Sequence, residues 1–416
     1  MTHKTRSASI YLKTFHDISK RRMANFSLKI LSTALSSAAL ILPGHVIAQQ
    51  QPRKFLVVEP AVSPQWIEQH GKEYHYIWQS RNDRKNASAW KQYAPNTILS
   101  SYFPYMRDPE SAPVASWEQS HPDWILYQCD EKNIAFQFNK QITPLNIGNE
   151  DVTRWQIKNF LSSWQPDIGL DNFQMGPREN FCGYKSDDGK FNKIYSGPTG
   201  INRLNTVKLN WLKTVSQAAH KNKKTITINY SPDVPPDSNI AREILTSIDG
   251  MLYEDYWGPP YSKGIYTSNS RMFDLMNFFS LASSMNKSVY FIFQVPKMDR
   301  QNIETAMATY LINASDRTAV FITSPQRYGI VPDYKGYDAP VGEACGTASV
   351  QNGFLTRHFS GAEVVLRLPD APPASLRLDK SEFIDVSGNT FPSNVELAPA
   401  TGIIAYKTHH EKCPGS

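Results

Sequence analysis

Two acidic residues close short apolar runs that read as β-strands. Asp171 ends the run 167–171 (DIGLD), and Glu254 ends the run 251–254 (MLYE). A pair of carboxylates at strand ends can hydrolyse a glycosidic bond, one as nucleophile or base and the other as proton donor. We therefore expect Asp171 to act as the nucleophile, or as the base of an inverting enzyme, and Glu254 as the general acid/base.

Further polar and aromatic residues close the neighbouring runs, and their types suit a sugar. Amide groups bond hydroxyl groups, and aromatic rings stack on pyranose faces. The candidate substrate-binding residues are Asn172, Asn229, Tyr230, Tyr256, Trp257, Gln294, Glu59 and Asp130. Asp255 is expected to point away from the site, because successive residues of a strand face opposite sides. The structural alternatives are that Asp171 caps the following turn and that Trp257 packs its own loop.

These candidate residues can form one site only if the fold brings the ends of their strands together. From residue 54 onward, the sequence pattern alternates predicted strands with predicted helices. The predicted strands are 55–59, 97–103, 124–127, 167–171, 225–229, 251–254, 288–294 and 318–323. The clearest predicted helix is 204–219, where apolar residues recur at spacings of three and four.

Eight strands alternating with helices over about 270 residues predict a (β/α)8 TIM barrel within residues 54–340. The chemistry of such a barrel lies at the carboxyl ends of its strands, so strands four and six would present their carboxylates across its mouth. The rival fold is an open doubly wound sheet, but the first strand lacks the glycine-rich turn typical of one.

The pattern of apolar residues in the sequence changes after residue 345. Short strand-like runs separated by Gly and Pro turns replace the helical patterns. We expect residues 345–410 to form a small antiparallel β-sandwich domain that packs on the barrel.

Several segments together resemble a known group of proteins. They are HPDWILY, DVTRWQIKNFLSSW, DIGLDNF, TITINY and MLYEDYW in the barrel, and FLTRHFSGAEVVLRLP and VELAPATGIIAYK in the tail. The chain resembles the TIM-barrel glycoside hydrolases grouped as hypothetical glycosyl hydrolase family fifteen, which are related to endo-α-1,4-polygalactosaminidase-like proteins.

The resemblance implies a barrel followed by a β-sandwich, with Asp171 and Glu254 as the two carboxylates and an amino-sugar polymer as one possible substrate. The chain departs from the family pattern at two places. DIGLDN lacks the usual second glycine, and Arg367 and Leu368 stand where the family tends to have Asn. Neither departure removes a carboxylate.

The basic character of the chain belongs to its first 48 residues. Of 44 basic and 38 acidic residues, this segment holds seven basic and one acidic, which leaves 37 of each elsewhere. A neutral body excludes an electrostatic nucleic-acid partner. The basic segment precedes the apolar run 30–42 and the tripeptide Val46-Ile47-Ala48, so residues 1–48 are predicted to be a signal peptide cleaved after Ala48. A retained N-terminal anchor is the alternative, and Met23 is an alternative start.

The four cysteines all follow this leader, in the part expected to be exported. An even number in an oxidising compartment permits disulfides, with three possible connectivities. We favour Cys129 with Cys182 and Cys345 with Cys413, because each pair stays within one region; free buried thiols are the alternative. No metal or organic cofactor is expected, since the cysteines show no zinc-ligand spacing.

The sequence thus predicts an exported, periplasmic or extracellular, monomeric glycoside hydrolase that acts on a polysaccharide or oligosaccharide, with no integral membrane segment after signal removal. The alternative is a non-catalytic polysaccharide-binding or export-associated protein on a barrel scaffold. A metal-dependent deacetylase is disfavoured, because the predicted strands end without the histidines that such a site needs.

Overall fold

The computed structural model describes most of the chain after residue 50. The described ranges are 51–58, 62–79, 84–106, 114–136, 143–176, 181–256, 264–328, 334–378 and 383–413. Glu59 and Trp257 lie outside these ranges, and for Tyr256 they include the backbone alone. Among the described residues, no helix combines the length and the apolar character needed to cross a membrane.

Eight parallel strands close into a barrel, which confirms the predicted fold class. In chain order, the barrel strands are β1 (Lys54–Val58), β2 (Tyr74–Gln79), β3 (Ile98–Pro104), β4 (Asp167–Phe173), β7 (Thr225–Tyr230), β8 (Gly250–Tyr256), β9 (Ser288–Gln294) and β10 (Thr318–Thr323); the hairpin strands β5 (Gly183–Lys185) and β6 (Phe191–Lys193) lie between β4 and β7. Around the barrel the order is β1-β10-β9-β8-β7-β4-β3-β2.

Helices separate most of these strands. They are α1 (Pro64–His70), α2 (Ala87–Tyr93), α3 (Val114–Ser120), α4 (Glu150–Leu161), α5 (Gly197–Lys221), α6 (Asn239–Thr246), α7 (Asn269–Ser284) and α8 (Arg300–Asn313). Several begin at a side-chain cap: Ser238 accepts a hydrogen bond from an N–H of α6, Ser268 from one of α7 and Asp299 from one of α8.

One barrel strand differs from the sequence prediction. The second strand is Tyr74–Gln79, which pairs with β1 and β3, whereas residues 124–127 are not part of the barrel. The run 124–127 is apolar because it is buried, but it forms antiparallel bridges from Ile125 to Leu145 and from Tyr127 to Ile134 and Gly183. It belongs to a long excursion between β3 and α4.

A second excursion leaves the barrel after β4 and contains the β5–β6 hairpin. The disulfide Cys129–Cys182 joins it to the first excursion. The Tyr127 N–H also donates to the Gly183 carbonyl at 2.8 Å, and the Cys182 N–H donates to the Tyr127 carbonyl at 2.9 Å. Both excursions start at carboxyl ends of barrel strands, so they stiffen the rim where barrel sites form.

The tail forms the expected small antiparallel β-domain, with the second predicted disulfide, Cys345–Cys413. Its strands are β11 (Ser349–Gln351), β12 (Phe354–His358), β13 (Ala362–Arg367), β14 (Ala374–Arg377), β15 (Phe383–Ile384), β16 (Asn394–Leu397) and β17 (Gly402–Lys407). They form a five-stranded sheet in the order β11-β12-β13-β17-β15 and a separate β14–β16 pair. Val365, Leu378 and Leu397 share the core between the two sheets.

The five-stranded sheet packs its other face on α8. Val364 and Ile404 belong to the same apolar core as the barrel, whereas their neighbours Val365 and Ile403 belong to the core of the β-domain. This alternation follows from the period of two along a strand. Because both faces are covered, β13 and β17 read as continuous apolar runs.

Candidate active site

The polar residues at the site come from four adjacent strands. Asp171 lies in β4, Asn229 in β7, Glu254 in β8 and Gln294 at the end of β9. These strands are consecutive neighbours around the barrel, and all four residues lie in the carboxyl half of their strands. The structure therefore brings together the two carboxylates and two amides that the sequence singled out, although one strand rather than the full mouth separates the carboxylates.

Asn229 bridges the two carboxylates. Its Nδ2 donates to Asp171 Oδ1 at 2.9 Å and to Glu254 Oε2 at 3.0 Å. Since both oxygens bond one nitrogen, they can be no farther apart than the sum of these distances, 5.9 Å. If each amide hydrogen points at one oxygen, the trigonal geometry of the nitrogen sets the separation at about 5 Å.

Asp171 is held at both of its oxygens. The Tyr102 hydroxyl, from β3, donates to Oδ2 at 2.7 Å, and the side-chain amide of Asn172 donates to the same oxygen. Asp171 as a whole is only 7% exposed. Hydrogen-bond donors on both oxygens fix the orientation of this carboxylate.

Glu254 is held mainly through its other oxygen. Gln294 Nε2 donates to Oε1 at 2.5 Å, and the Tyr328 hydroxyl donates to Oε1 at 3.2 Å. Glu254 is half-buried, whereas Gln294 is buried. The longer side chain of Glu254 thus keeps contact with solvent while Asn229, Gln294 and Tyr328 orient its carboxylate.

Residues that alternate with these face the helices. Asp255 is buried, and the Ile265 N–H donates to both of its carboxylate oxygens at 3.2 Å. Tyr230 is fully buried, its ring contacts Phe173 and Phe278, and its hydroxyl donates to Asp233 at 2.8 Å.

The outward orientation expected for Asp255 is therefore found. The assignment of Tyr230 to the sugar site is wrong, because Tyr230 follows the lumen-facing Asn229 and must face the other side. Burial raises the pKa of the Tyr230 hydroxyl well above its usual value, and the carboxylate of Asp233 reinforces this.

The premise for assigning Asp130 to the site is wrong, because the run 124–127 that precedes it is not a barrel strand. The exposed carboxylate of Asp130 instead accepts hydrogen bonds from the N–H groups of Lys132 and Asn133 in its own turn, at 3.1 and 3.0 Å. These bonds lower the pKa of the Asp130 carboxyl.

Three predicted residues remain untested by the structure. Glu59 and Trp257 lie outside the described residues, and the side chain of Tyr256 does as well. They stay predictions of the sequence.

Sequence reasoning missed two residues of the site, Tyr102 and Tyr328. Tyr102 lies in a strand that was predicted, and the alternation of that strand places it on the lumen side with Ser100, which could have identified it. Tyr328 follows a short helical turn after β10, and no pattern in the sequence distinguishes it from other loop tyrosines.

A second acidic residue of β4 lies deeper in the barrel lumen. Asp167 is 1% exposed and accepts hydrogen bonds from the Tyr76 hydroxyl at 2.9 Å, the Thr225 hydroxyl at 2.6 Å and the Thr227 hydroxyl at 3.1 Å. Burial raises the pKa of the Asp167 carboxyl, although these hydrogen bonds oppose the shift. Within the described ranges, no group of three or more His, Cys, Asp or Glu side chains is arranged to hold a metal ion.

A closed parallel barrel with two carboxylates bridged by an amide at its carboxyl rim is an arrangement that carbohydrate-active barrel enzymes use, and a family comparison assigns the chain to that class. Residues 85–363, more than half of the chain, match the family model described as hypothetical glycosyl hydrolase family 15. The chain belongs to this family of glycoside hydrolases, as its sequence motifs predicted.

Solved structures with the same general architecture are distant. Ega3 from Aspergillus fumigatus, in complex with galactosamine, is 12% identical with a TM-score of 0.42, over 68% of this chain and 95% of that one. A variant of the glycoside hydrolase domain of PelA from Pseudomonas aeruginosa is 10% identical with a TM-score of 0.43, over 66% and 95%. A maltogenic α-amylase from Thermotoga neapolitana is 9% identical with a TM-score of 0.46, over 86% and 99%. The search of curated protein sequences found no match to this chain.

Proposed function

We propose that this protein is an exported hydrolase that cleaves a polysaccharide with retention of anomeric configuration, through Asp171 and Glu254. The observation that carries the proposal is the Asn229 bridge, which limits the two nearest carboxylate oxygens to at most 5.9 Å. Retaining enzymes hold their carboxyl groups about 5 to 5.5 Å apart, whereas inverting enzymes need about 6.5 to 9.5 Å to admit a water molecule.

Retention proceeds in two steps, each with one bond formed and one broken at the anomeric carbon. In the first, a carboxylate oxygen of Asp171 bonds to this carbon while Glu254 gives its proton to the departing glycosidic oxygen. In the second, Glu254 takes a proton from water, whose oxygen displaces Asp171 and releases the sugar.

The surroundings of the two carboxylates support this division of roles. Asp171 is short, nearly buried and oriented by donors at both oxygens, which suits a nucleophile that must be held in one orientation. Glu254 is longer and half-buried, so it can reach the departing glycosidic oxygen in the first step and the attacking water in the second.

The substrate we propose is a neutral or amino-sugar polysaccharide. The neutral body of the chain and the amide and phenol donors around the carboxylates suit sugar hydroxyls better than a polyanion. The family resemblance adds an amino-sugar polymer, polygalactosamine, to the glycans to be tested.

The test is a panel of polysaccharides incubated with the purified protein, with release of reducing ends as the readout. The panel contains α- and β-glucans, galactan, xylan, chitosan and α-1,4-polygalactosamine. We expect release from at least one of them, loss of that release in Asp171→Asn and Glu254→Gln, and full release in Asp316→Asn, a control at an exposed aspartate before the amino end of β10. Binding of a glycan by the wild type without any release would contradict the proposal and favour the non-catalytic alternative.

Export is part of the proposal. It is supported by the basic segment and apolar run that precede Ala48, and by the two disulfides, which persist in oxidising compartments. Expression of the full chain in a bacterium, followed by mass spectrometry of the periplasmic fraction, should find a protein that begins at Gln49. Full-length protein confined to the cytoplasmic fraction would contradict export.

A further inference from the structure

Strand β4 contains one extra residue at the site. Leu170 pairs with Ile228 of β7, and the next pair is Phe173 with Tyr230. From the first pair to the second, β7 advances by two residues while β4 advances by three. The extra residue forms a bulge at Asp171 and Asn172, of the kind that re-aims side chains next to active sites.

Asn172 supplies the backbone geometry of this bulge. Its φ is +61°, in the left-handed region that is costly for most side chains and tolerated by Asn. Strained backbone of this kind persists where the surrounding structure enforces it, and it concentrates at functional sites.

The bulge changes which side chains face the lumen. Without it, Asp171 and Asn172 would face opposite sides. With it, the Asn172 amide reaches Asp171 Oδ2, and Phe173 turns outward to contact the ring of Tyr230. Two successive residues of one strand thus serve the same site.

We propose that Asn172 is a positioning residue that selects the attacking oxygen of Asp171. The Asn172 amide and the Tyr102 hydroxyl hold Oδ2, while Oδ1 faces Glu254 through the shared Asn229 nitrogen. Oδ1 then forms the bond to the anomeric carbon as the glycosidic bond breaks, and Oδ2 remains the carbonyl oxygen of the resulting ester, still accepting both hydrogen bonds. The inference rests on the proposed nucleophilic role of Asp171.

Asn172 combines tolerance of positive φ with a side-chain hydrogen-bond donor, and both of its simplest replacements remove the donor. Gly adopts positive φ without cost but has no donor. Asp keeps the shape of Asn but brings a negative charge in place of the donor. A merely structural turn residue would tolerate Gly, whereas a positioning residue would not.

The test compares Asn172→Gly with Asn352→Gly. Asn352 has a φ of +51° in the turn between β11 and β12 of the β-domain, so it is a matched left-handed Asn outside the barrel. The readouts are kcat and KM on the polysaccharide that the wild type cleaves, and the thermal unfolding midpoint. We expect kcat of Asn172→Gly to fall roughly tenfold with a smaller change in KM, while Asn352→Gly matches the wild type.

The split between kcat and KM separates positioning from structure. Asn172→Asp keeps the shape of Asn but places a second carboxylate in place of the amide donor beside Asp171 Oδ2. We expect its kcat to fall at least as far as that of Asn172→Gly, with a smaller change in KM.

Folded Asn172→Gly with wild-type kcat would overturn the inference. If Asn172→Gly does not fold, a wild-type kcat in Asn172→Asp would overturn it equally. Asp171→Asn in the same assay keeps the two proposals apart. An active Asp171→Asn contradicts the proposed function itself, whereas an inactive Asp171→Asn beside a normal Asn172→Gly contradicts only the positioning role.

Discussion

Strand β4 carries two lumen-facing aspartates four residues apart, and their surroundings differ. Asp167 is sealed inside the barrel, where hydroxyl groups of Tyr76, Thr225 and Thr227 bond it. Asp171 lies at the carboxyl end of the strand, where an amide bridge couples it to a second carboxylate. The same residue type on the same face of one strand thus has two different environments.

Position along the strand decides between the two roles. Residues near the amino end of a barrel strand fill the interior and contribute to stability, whereas those at the carboxyl end border the space where substrates bind. Asp167 is held by neutral hydroxyl groups in the barrel interior, while Asp171 has Glu254 within reach. The pair therefore offers an internal control for the catalytic assignment.

The largest loss of kcat is expected at Asp171, and Asp167 provides the comparison. Asp171→Asn should lower kcat by roughly 10⁴-fold, because the side chain can no longer form the covalent intermediate. Asp167→Asn should leave kcat of the folded protein near that of the wild type. Steady-state kinetics on the polysaccharide identified in the panel checks both, and equal losses in the two variants would erase the distinction.

Glu254→Gln should have the next largest effect, about 10²- to 10⁴-fold in kcat, the range of general acid–base catalysis. The loss should shrink for aryl glycosides whose leaving group needs no proton. A comparison of p-nitrophenyl glycosides with the natural polymer measures this difference. An equal loss on both kinds of substrate would contradict the role of Glu254 as proton donor.

A smaller effect is expected at Tyr328, which orients Glu254 through one hydrogen bond. Tyr328→Phe removes that bond and should lower kcat by about threefold to tenfold, the value of a typical single hydrogen bond. The thermal unfolding midpoint should change little, and a loss above 100-fold would mean that Tyr328 does more than orient Glu254.

Much of this arrangement could be predicted from the sequence, because strand ends in a barrel converge. Asn229 and Gln294 were found on that rule alone. The rule wrongly included Tyr230, since Asn229 and Tyr230 were both assigned to the site although successive residues of a strand face opposite sides. Tyr328 was missed because loop residues follow no periodic pattern.

The strand prediction failed at residues 124–127, which are apolar but do not pair in the barrel sheet. Residues 124–127 are as apolar as a barrel strand, but they are buried by an excursion cross-linked through Cys129 and Cys182. The true strand Tyr74–Gln79 alternates aromatic residues with His75 and Gln79 and looked less apolar. The apolar composition of residues 124–127 therefore indicated their burial correctly but did not indicate whether they pair in the barrel sheet.

The smallest expected effect is the pH dependence of stability at Asp167. Its pKa is raised in the folded state, so its contribution to stability is fully present below the usual pKa of an aspartate, about 3.9. That contribution is lost as the pH rises through the folded-state pKa. Asn does not titrate, so the free energy of unfolding of the wild type, relative to Asp167→Asn, should fall over this window.

Urea unfolding of both proteins at several pH values between 3 and 7 measures this difference. A difference that stays constant, or that grows in favour of the wild type as the pH rises, would contradict the burial of an Asp167 carboxyl with raised pKa.

The anomer that forms first tests most directly whether Asp171 and Glu254 act together by retention, at the short separation that Asn229 imposes. Proton NMR of the hydrolysis, recorded before the released sugar mutarotates, identifies this anomer. We expect it to have the configuration of the cleaved linkage, because the two carboxylates lie too close for an intervening water molecule. A first product of opposite configuration would contradict retention.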